Sequence, residues 1–328
     1  MRIVFMGTPE FSVPTLEALI AHHEVIGVVT QPDKRKGRGK AMAFPPVKET
    51  ALAHGIPVYQ PVKVREEAFV ETLRELAPDV IVVVAFGQIL PESILNLPKY
   101  GCINVHASLL PKYRGAAPMQ WAIINGEKET GITTMYMAKG LDTGDMIEKV
   151  VIPIAPKETG ETLHDKLSAA GGTLILSTLD KLEAGTAVRI PQNDEESSYA
   201  GMLTKELGEI DWTKSAVSIE RLIRGLNSWP SAYTHMNGKT LKIWDADAVP
   251  EQTGSEEDDG QAAQQPVKAE DAAPGTVTDV KKDCFYVQTG DGLLKVNEVQ
   301  LQGKKRMPVQ AFLLGYPVKK GMVYGRQD

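Results

Sequence analysis

The sequence predicts an α/β fold: a doubly wound, mostly parallel sheet over residues 1–189, followed by a small β-barrel. Three observations predict it. Short apolar runs alternate with segments of helical period through the first half, as strand–helix–strand units do. One of those runs, DVIVVVA at residues 79–85, is continuously apolar and β-branched, as expected of a strand buried on both faces. Beyond residue 226 the pattern changes to short strands with turns at Asn237-Gly238 and Asp291-Gly292.

The elements follow in order. Arg2–Met6 reads as a strand and Pro14–His22 as a helix, with Leu16, Leu19 and Ile20 at helical spacing. Glu24–Thr30 is a second strand and Ile56–Tyr59 a short third. Glu66–Leu76 is a helix with Phe69, Leu73 and Leu76 on one face. After the 79–85 strand come a strand at Gly101–His106, a helix from about Ala117 to Asn125 and a strand at Ile132–Met137. Residues 190–208, beginning with the polar run IPQNDEESSYAG, are expected to link the two domains. The second domain, residues 209–328, opens with an amphipathic helix at Ser215–Leu226. Its stretch 251–274 is acidic and lacks large apolar residues, so a disordered surface insert is expected there.

Composition narrows the function. The chain has 328 residues, long enough for two domains, and a net charge of −6, which argues against a uniformly basic surface but not against a local basic patch. Cys102 and Cys284 lie far apart and fit no metal-ligand spacing, so a reducing compartment and no metal site are expected. The apolar run Ile3–Met6 is too short for a signal peptide, and no segment could span a bilayer. A cytoplasmic protein without a membrane partner is the expectation.

The residues that could carry chemistry lie in NVHASLLPKYRGAAP, residues 104–118. Side chains repeat every two residues along a strand, so Asn104 and His106 share a face at the carboxyl end of theirs. Ligand crevices of doubly wound sheets open at that edge. An amide can donate to a developing oxyanion, and an imidazole can donate or move a proton. Asp142, in the loop GLDTGD, could orient the imidazole or accept a proton. On this pattern alone a strand-end histidine and a turn-forming aspartate without catalytic role are the commoner reading. The chain has no G-x-S-x-G elbow and no H-E-x-x-H pair, so neither a covalent nor a metal-assisted mechanism has a motif behind it. MGTPEFS follows the first strand as a nucleotide-binding turn would, but it lacks the glycine fingerprint of a dinucleotide site. Two basic segments also stand out. Lys34, Arg35, Lys36, Arg38 and Lys40 against Asp33 give QPDKRKGRGKAM a charge of +4. From Gly275 onward nine basic and five acidic residues give another +4, with Lys304, Lys305 and Arg306 consecutive. Such segments can meet phosphates or simply be solvated.

These motifs resemble the 10-formyltetrahydrofolate-dependent formyltransferases, through Asn104, His106, the SLLP turn (Ser108–Pro111) and Asp142. FMGTPEF, QPDKRKGRGK, NVHASLLPKYRGAAPMQWAI, GLDTGDM, IDWTKSA, NSWPSAYT, TGDGLLKV and GKKRM extend the resemblance in order along nearly the whole chain, toward the members that act on methionyl-tRNA. The resemblance implies a Rossmann-like catalytic domain and an OB-like barrel that binds tRNA, in a monomer. It implies direct formyl transfer from 10-formyltetrahydrofolate to the α-amine of initiator methionyl-tRNA. Asn104 would hydrogen-bond the formyl oxygen, His106 would stabilise the oxyanion, and Asp142 would hold His106 and help take the amine proton. Ser108, Leu109, Leu110 and Pro111, with Phe86, Gly87, Gln88 and Ile89, would form the folate pocket. The 34–40 segment would wedge into the tRNA acceptor end, Arg38 matching an arginine set between glycines, and Lys304–Arg306 would meet RNA phosphates. The related formylation of a sugar nucleotide would share the Asn-His-Asp set, but the two basic segments speak against it.

Overall fold

The computed structural model describes residues 1–36, 41–249 and 272–325. Arg38, Lys40 and most of the acidic insert, residues 251–271, lie outside the described residues. The chain divides into two compact units. Unit 1 comprises Met1–Met119, Lys128–Ile154 and Thr162–Gly201; unit 2 comprises Gln120–Glu127, Ala155–Glu161 and Met202–Asp328.

The elements run β1 (Arg2–Gly7), α1 (Val13–His22), β2 (Glu24–Val29), β3 (Lys34–Lys36), β4 (Ala41–Ala43), α2 (Pro46–Ala53), β5 (Val58–Tyr59), α3 (Glu67–Leu76), β6 (Val80–Val84), α4 (Glu92–Leu95), β7 (Cys102–His106), β8 (Arg114–Gly115), α5 (Pro118–Ile124), β9 (Glu129–Tyr136), β10 (Met146–Pro153), α6 (Gly160–Glu183) and β11 (Tyr199–Ala200). Seven strands of unit 1 form one sheet in the order β10-β9-β7-β6-β1-β2-β5. β5, β2, β1, β6 and β7 are parallel, as the strand–helix alternation requires. β9 runs antiparallel to β7, and β10 antiparallel to β9, so the mostly parallel sheet carries an antiparallel edge. β6 pairs on both sides and every one of its residues is buried, which is why its sequence is unbroken valine and isoleucine.

The two faces of the sheet follow the period of two. Val4, Met6, Ile81, Val83 and Cys102 pack with Phe69, Val70 and Leu73 of α3 on one face. The other face meets α6, where a Cβ on Gly171 would stand 3.1 Å from Cγ1 of Val105, and one on Gly172 would stand 2.9 Å from the Pro14 carbonyl. Asn104 and His106 therefore share the α3 side with Cys102. Lys34–Lys36 and Ala41–Ala43 pair as an antiparallel hairpin, so the described part of the basic loop is ordered backbone. Residues 190–201, expected within a linker, are tied into unit 1. Ile190 bridges Met146, and β11 pairs in parallel with β8.

Unit 2 contains α7 (Ala216–Gly225), β12 (Tyr233–Met236), β13 (Lys239–Val249), β14 (Val277–Val280), β15 (Phe285–Gln288), β16 (Leu293–Leu301), β17 (Met307–Pro308) and α8 (Val309–Gly315). Its antiparallel sheet, ordered β12-β13-β16-β15-β14 with β17 beside β16, is a half-barrel. The sheet closes over Ile219 and Ile223 of α7, Phe312 of α8, Trp212 and Phe285. Register shifts at Ile243–Ala246 bend β13, as bulges do. Ser215 caps α7 by accepting from the Ser218 N–H at 3.2 Å. Among the described residues, no helix is long and apolar enough to cross a membrane.

Candidate active site

Asn104 and His106 end β7 and are both buried, at 8 % and 6 % exposure. His106 Nε2 lies 2.9 Å from the Tyr113 carbonyl oxygen. A carbonyl only accepts, so Nε2 carries a proton and donates it there. That leaves Nδ1 as the ring nitrogen directed at Asp142, 3.6 Å from its Oδ2. This separation is longer than a hydrogen bond. The Asp142 carboxylate takes the Gly115 backbone N–H at 2.9 Å on Oδ2 and lies 3.4 Å from Asn104 Nδ2 through Oδ1. The amide, imidazole and carboxylate named from the sequence thus converge around one small space.

Asp142 reaches that space from the loop joining β9 to β10. Its φ of +52° is left-handed, a conformation aspartate tolerates better than most residues. Gly144 makes the return possible, because a Cβ there would fall 1.7 Å from the Tyr136 carbonyl oxygen. Behind the loop, Gln192 donates its two Nε2 protons to the carbonyls of Asp142 and Gly144, each at 2.8 Å. Its Oε1 accepts from Arg114 Nε at 3.0 Å and Nη2 at 2.9 Å. Arg114 also pairs with Asp194 at 2.8 Å.

The SLLP turn is anchored rather than loose. Ser108 Oγ donates to the Lys112 carbonyl, Thr133 Oγ1 donates to the Ser108 carbonyl, and the Leu110 N–H donates to Thr133 Oγ1. Lys149 donates to the Leu110 carbonyl, and burial pushes its ammonium below the ordinary lysine value. The Leu110 side chain is fully buried with Met135 and Met146. Leu109 and Pro111 are half-buried. Phe86–Ile89 follows β6, the parallel neighbour of β7, so both turns lie at the same edge of the sheet. Phe86 is core, and its carbonyl already accepts from Thr8 Oγ1 and Gln31 Nε2. Gln88 is engaged with the backbone of Val64 and Val62, whereas Ile89 is 81 % exposed. Gly87 is exposed between them, with a φ of +83°.

The basic candidates separate. Lys34 is exposed at the base of the hairpin; Arg35 and Lys36 continue the strand, and Arg38 and Lys40 fall outside the described residues. Lys304, Lys305 and Arg306 are exposed after the Gly303 turn in unit 2, with Arg306 paired to Glu298 and stacked 4.8 Å over the Trp244 ring. Sequence reasoning missed Gln192, Arg114, the Gly115 N–H, the Tyr113 carbonyl, Thr133 and Lys149. Backbone groups leave no signal in residue identity, and Gln192 lies in a run whose composition reads as a linker.

Comparison with known proteins adds to this geometry. Residues 1–179 match the family model described as formyl transferase, and residues 202–317 match that of the formyl transferase C-terminal domain. A methionyl-tRNA formyltransferase of Agathobacter rectalis is 59 % identical over 325 residues, covering 99 % of both chains. One of Clostridioides difficile is 50 % identical over 326 residues, covering 99 % of this chain and 100 % of the other. Among solved structures, an N-formyltransferase from Helicobacter canadensis, in complex with folinic acid and dTDP-3-aminofucose, superimposes with a TM-score of 0.65 at 19 % identity. It covers 93 % of this chain and 99 % of its own, a likeness of fold. The chain belongs to the formyl transferase family and, within it, to the methionyl-tRNA formyltransferases.

Proposed function

We propose that the protein transfers a formyl group from 10-formyltetrahydrofolate to the α-amine of initiator methionyl-tRNA, by direct attack of the amine on the formyl carbon. The observation that carries this reading is that the Asn104 amide and His106 Nδ1 both approach the Asp142 carboxylate, at 3.4 Å and 3.6 Å. A carbonyl oxygen fits that donor set. The Asn104–Asp142 separation is long for a hydrogen bond, so the Asn104 N–H is available to turn to the formyl oxygen. The Nε2–H of His106 is committed to the Tyr113 carbonyl, so the ring meets the developing oxyanion through Nδ1, which donates only in the doubly protonated imidazolium form.

The bookkeeping of bonds is simple. The amine nitrogen bonds to the formyl carbon, giving a tetrahedral centre, and the bond from that carbon to N10 then breaks. The attacking nitrogen loses a proton to Asp142, which returns it to N10 as that nitrogen leaves, so no proton is gained or lost overall. The amine must attack in its neutral form, and an α-amino pKa of about 8 makes that form accessible near neutral pH.

The folate pocket is read at the shared edge of β6 and β7. Ile89, Leu109 and Pro111 wall it, while the Gly87 and Gln88 backbone supplies polar contacts. Ser108, Leu110 and Phe86 hold the two turns in place. The basic segment Lys34, Arg35, Lys36, Arg38 and Lys40 takes the tRNA acceptor end, and Lys304, Lys305 and Arg306 meet phosphates elsewhere on the RNA. The reaction is cytoplasmic in this reading, and the enzyme acts as a monomer.

The test is to supply 10-formyltetrahydrofolate with either charged initiator methionyl-tRNA or a nucleotide-linked amino sugar. Formylmethionyl-tRNA is the expected product, with the sugar left unchanged. Formylation of the sugar at a comparable rate, or no formylmethionine at all, would remove the proposal.

A further inference from the structure

We infer that Gln192 is a positioning residue for the Asp142 carboxylate, an inference that rests on the proposed role of Asp142. All four hydrogen-bonding positions of the Gln192 amide are used. Two protons go to the carbonyls of Asp142 and Gly144, and Oε1 takes two donors from Arg114. The side chain therefore pins the β9–β10 loop at the left-handed Asp142 and two residues beyond it. The same side chain fixes the residue preceding Gly115, whose N–H holds Asp142 Oδ2 at 2.9 Å. The two supports of the carboxylate, its own backbone and its N–H donor, are thus joined through one amide. Gln192 is bonded to backbone carbonyls and to Arg114, whereas His106 faces the Asp142 carboxylate, so Gln192 acts on the catalytic groups through the Asp142 backbone. Removing it shifts the carboxylate that receives the proton, and a misplacement of about 1 Å can cost on the order of a hundredfold in rate.

Gln192→Glu is the discriminating change, because it keeps the shape and the acceptors for Arg114 but replaces both loop-holding protons with a carboxylate oxygen facing two carbonyls. The expected result is a kcat lowered about 10- to 100-fold, with KM for methionyl-tRNA and for 10-formyltetrahydrofolate within about threefold of the parent. The thermal midpoint establishes that the variant is folded. Should Gln192→Glu not fold, Gln192→Asn takes its place, since a side chain one methylene shorter cannot span both carbonyls and Arg114. The decisive readout is non-additivity, measured by single-turnover transfer at high enzyme. In an Asp142→Asn background the Gln192 change is expected to cost no more than about twofold, because the group it positions is already disabled. A folded variant with unchanged kcat, or one whose loss multiplies fully with that of Asp142→Asn, overturns the inference. Full activity of Asp142→Asn alone would instead remove the catalytic reading of Asp142, and the inference with it.

Discussion

At the scale of single residues, the site is a set of donors and acceptors whose partners dictate their roles. Asn104 has a long, weak contact to Asp142, and His106 has one nitrogen fixed and one directed inward. Losing an oxyanion donor costs about 3 kcal/mol of transition-state stabilisation. Asn104→Ala and His106→Ala should each lower kcat about a hundredfold or more, with KM for both substrates little changed, which steady-state kinetics would register. The Asn104–His106 pair was legible because a period of two puts alternate strand residues on one face. Asp142, 36 residues beyond His106, was legible as a candidate from its glycine-bounded loop, but its place beside His106 only through the resemblance, since spacing does not bring a distant loop to a strand end. Gln192 was illegible: it acts through main-chain carbonyls, and a polar, irregular run looks the same whether it links domains or braces a loop.

At the scale of elements, the parallel strands and the helices α1, α3 and α7 could be read because their apolar residues keep a single period. β10 and α6 went unread. β10 is partly solvated, with alternate residues intermediate and exposed, and α6 is interrupted by Gly171 and Gly172, residues unfavourable inside helices. Those glycines serve packing instead, allowing α6 to approach Val105 and the Pro14 backbone. The same pair of elements holds Glu148 of β10 against α6. Burial opposes its charge, but hydrogen bonds from Lys181, Thr178 and Ser177 prevail and hold the carboxyl below its ordinary value. A depressed folded-state pKa stabilises the fold above the unfolded value near 4.3, and that stability is lost as pH falls through the folded value. Glu148→Gln should therefore lower stability by about 1–2 kcal/mol at neutral pH, with the gap closing in acid. Denaturant unfolding at two pH values measures it, and a gap independent of pH would exclude the electrostatic origin.

At the scale of the molecule, a chain of net charge −6 must bind a polyanion through local patches. The net charge says nothing of where they are, whereas Lys304 and Lys305 stand exposed on a turn of unit 2 with their neighbour Arg306 engaged by Glu298 and Trp244. Replacing both lysines by alanine should flatten the salt dependence of tRNA binding by roughly one unit of log–log slope per lysine. Arg306→Ala should flatten it less, and an unchanged slope in the double variant would take the turn out of the RNA footprint. Fold and chemistry meet where the end of β7 and the β9–β10 loop bring an amide, an imidazole and a carboxylate together at the carboxyl edge of the sheet. The most direct test is rapid-quench single-turnover formyl transfer with both substrates pre-bound to the parent protein, Asn104→Ala and His106→Ala. The account predicts that both variants hold methionyl-tRNA and 10-formyltetrahydrofolate at parental affinity and transfer the formyl group at least about a hundredfold more slowly. Transfer at the parental rate by either folded variant would contradict it.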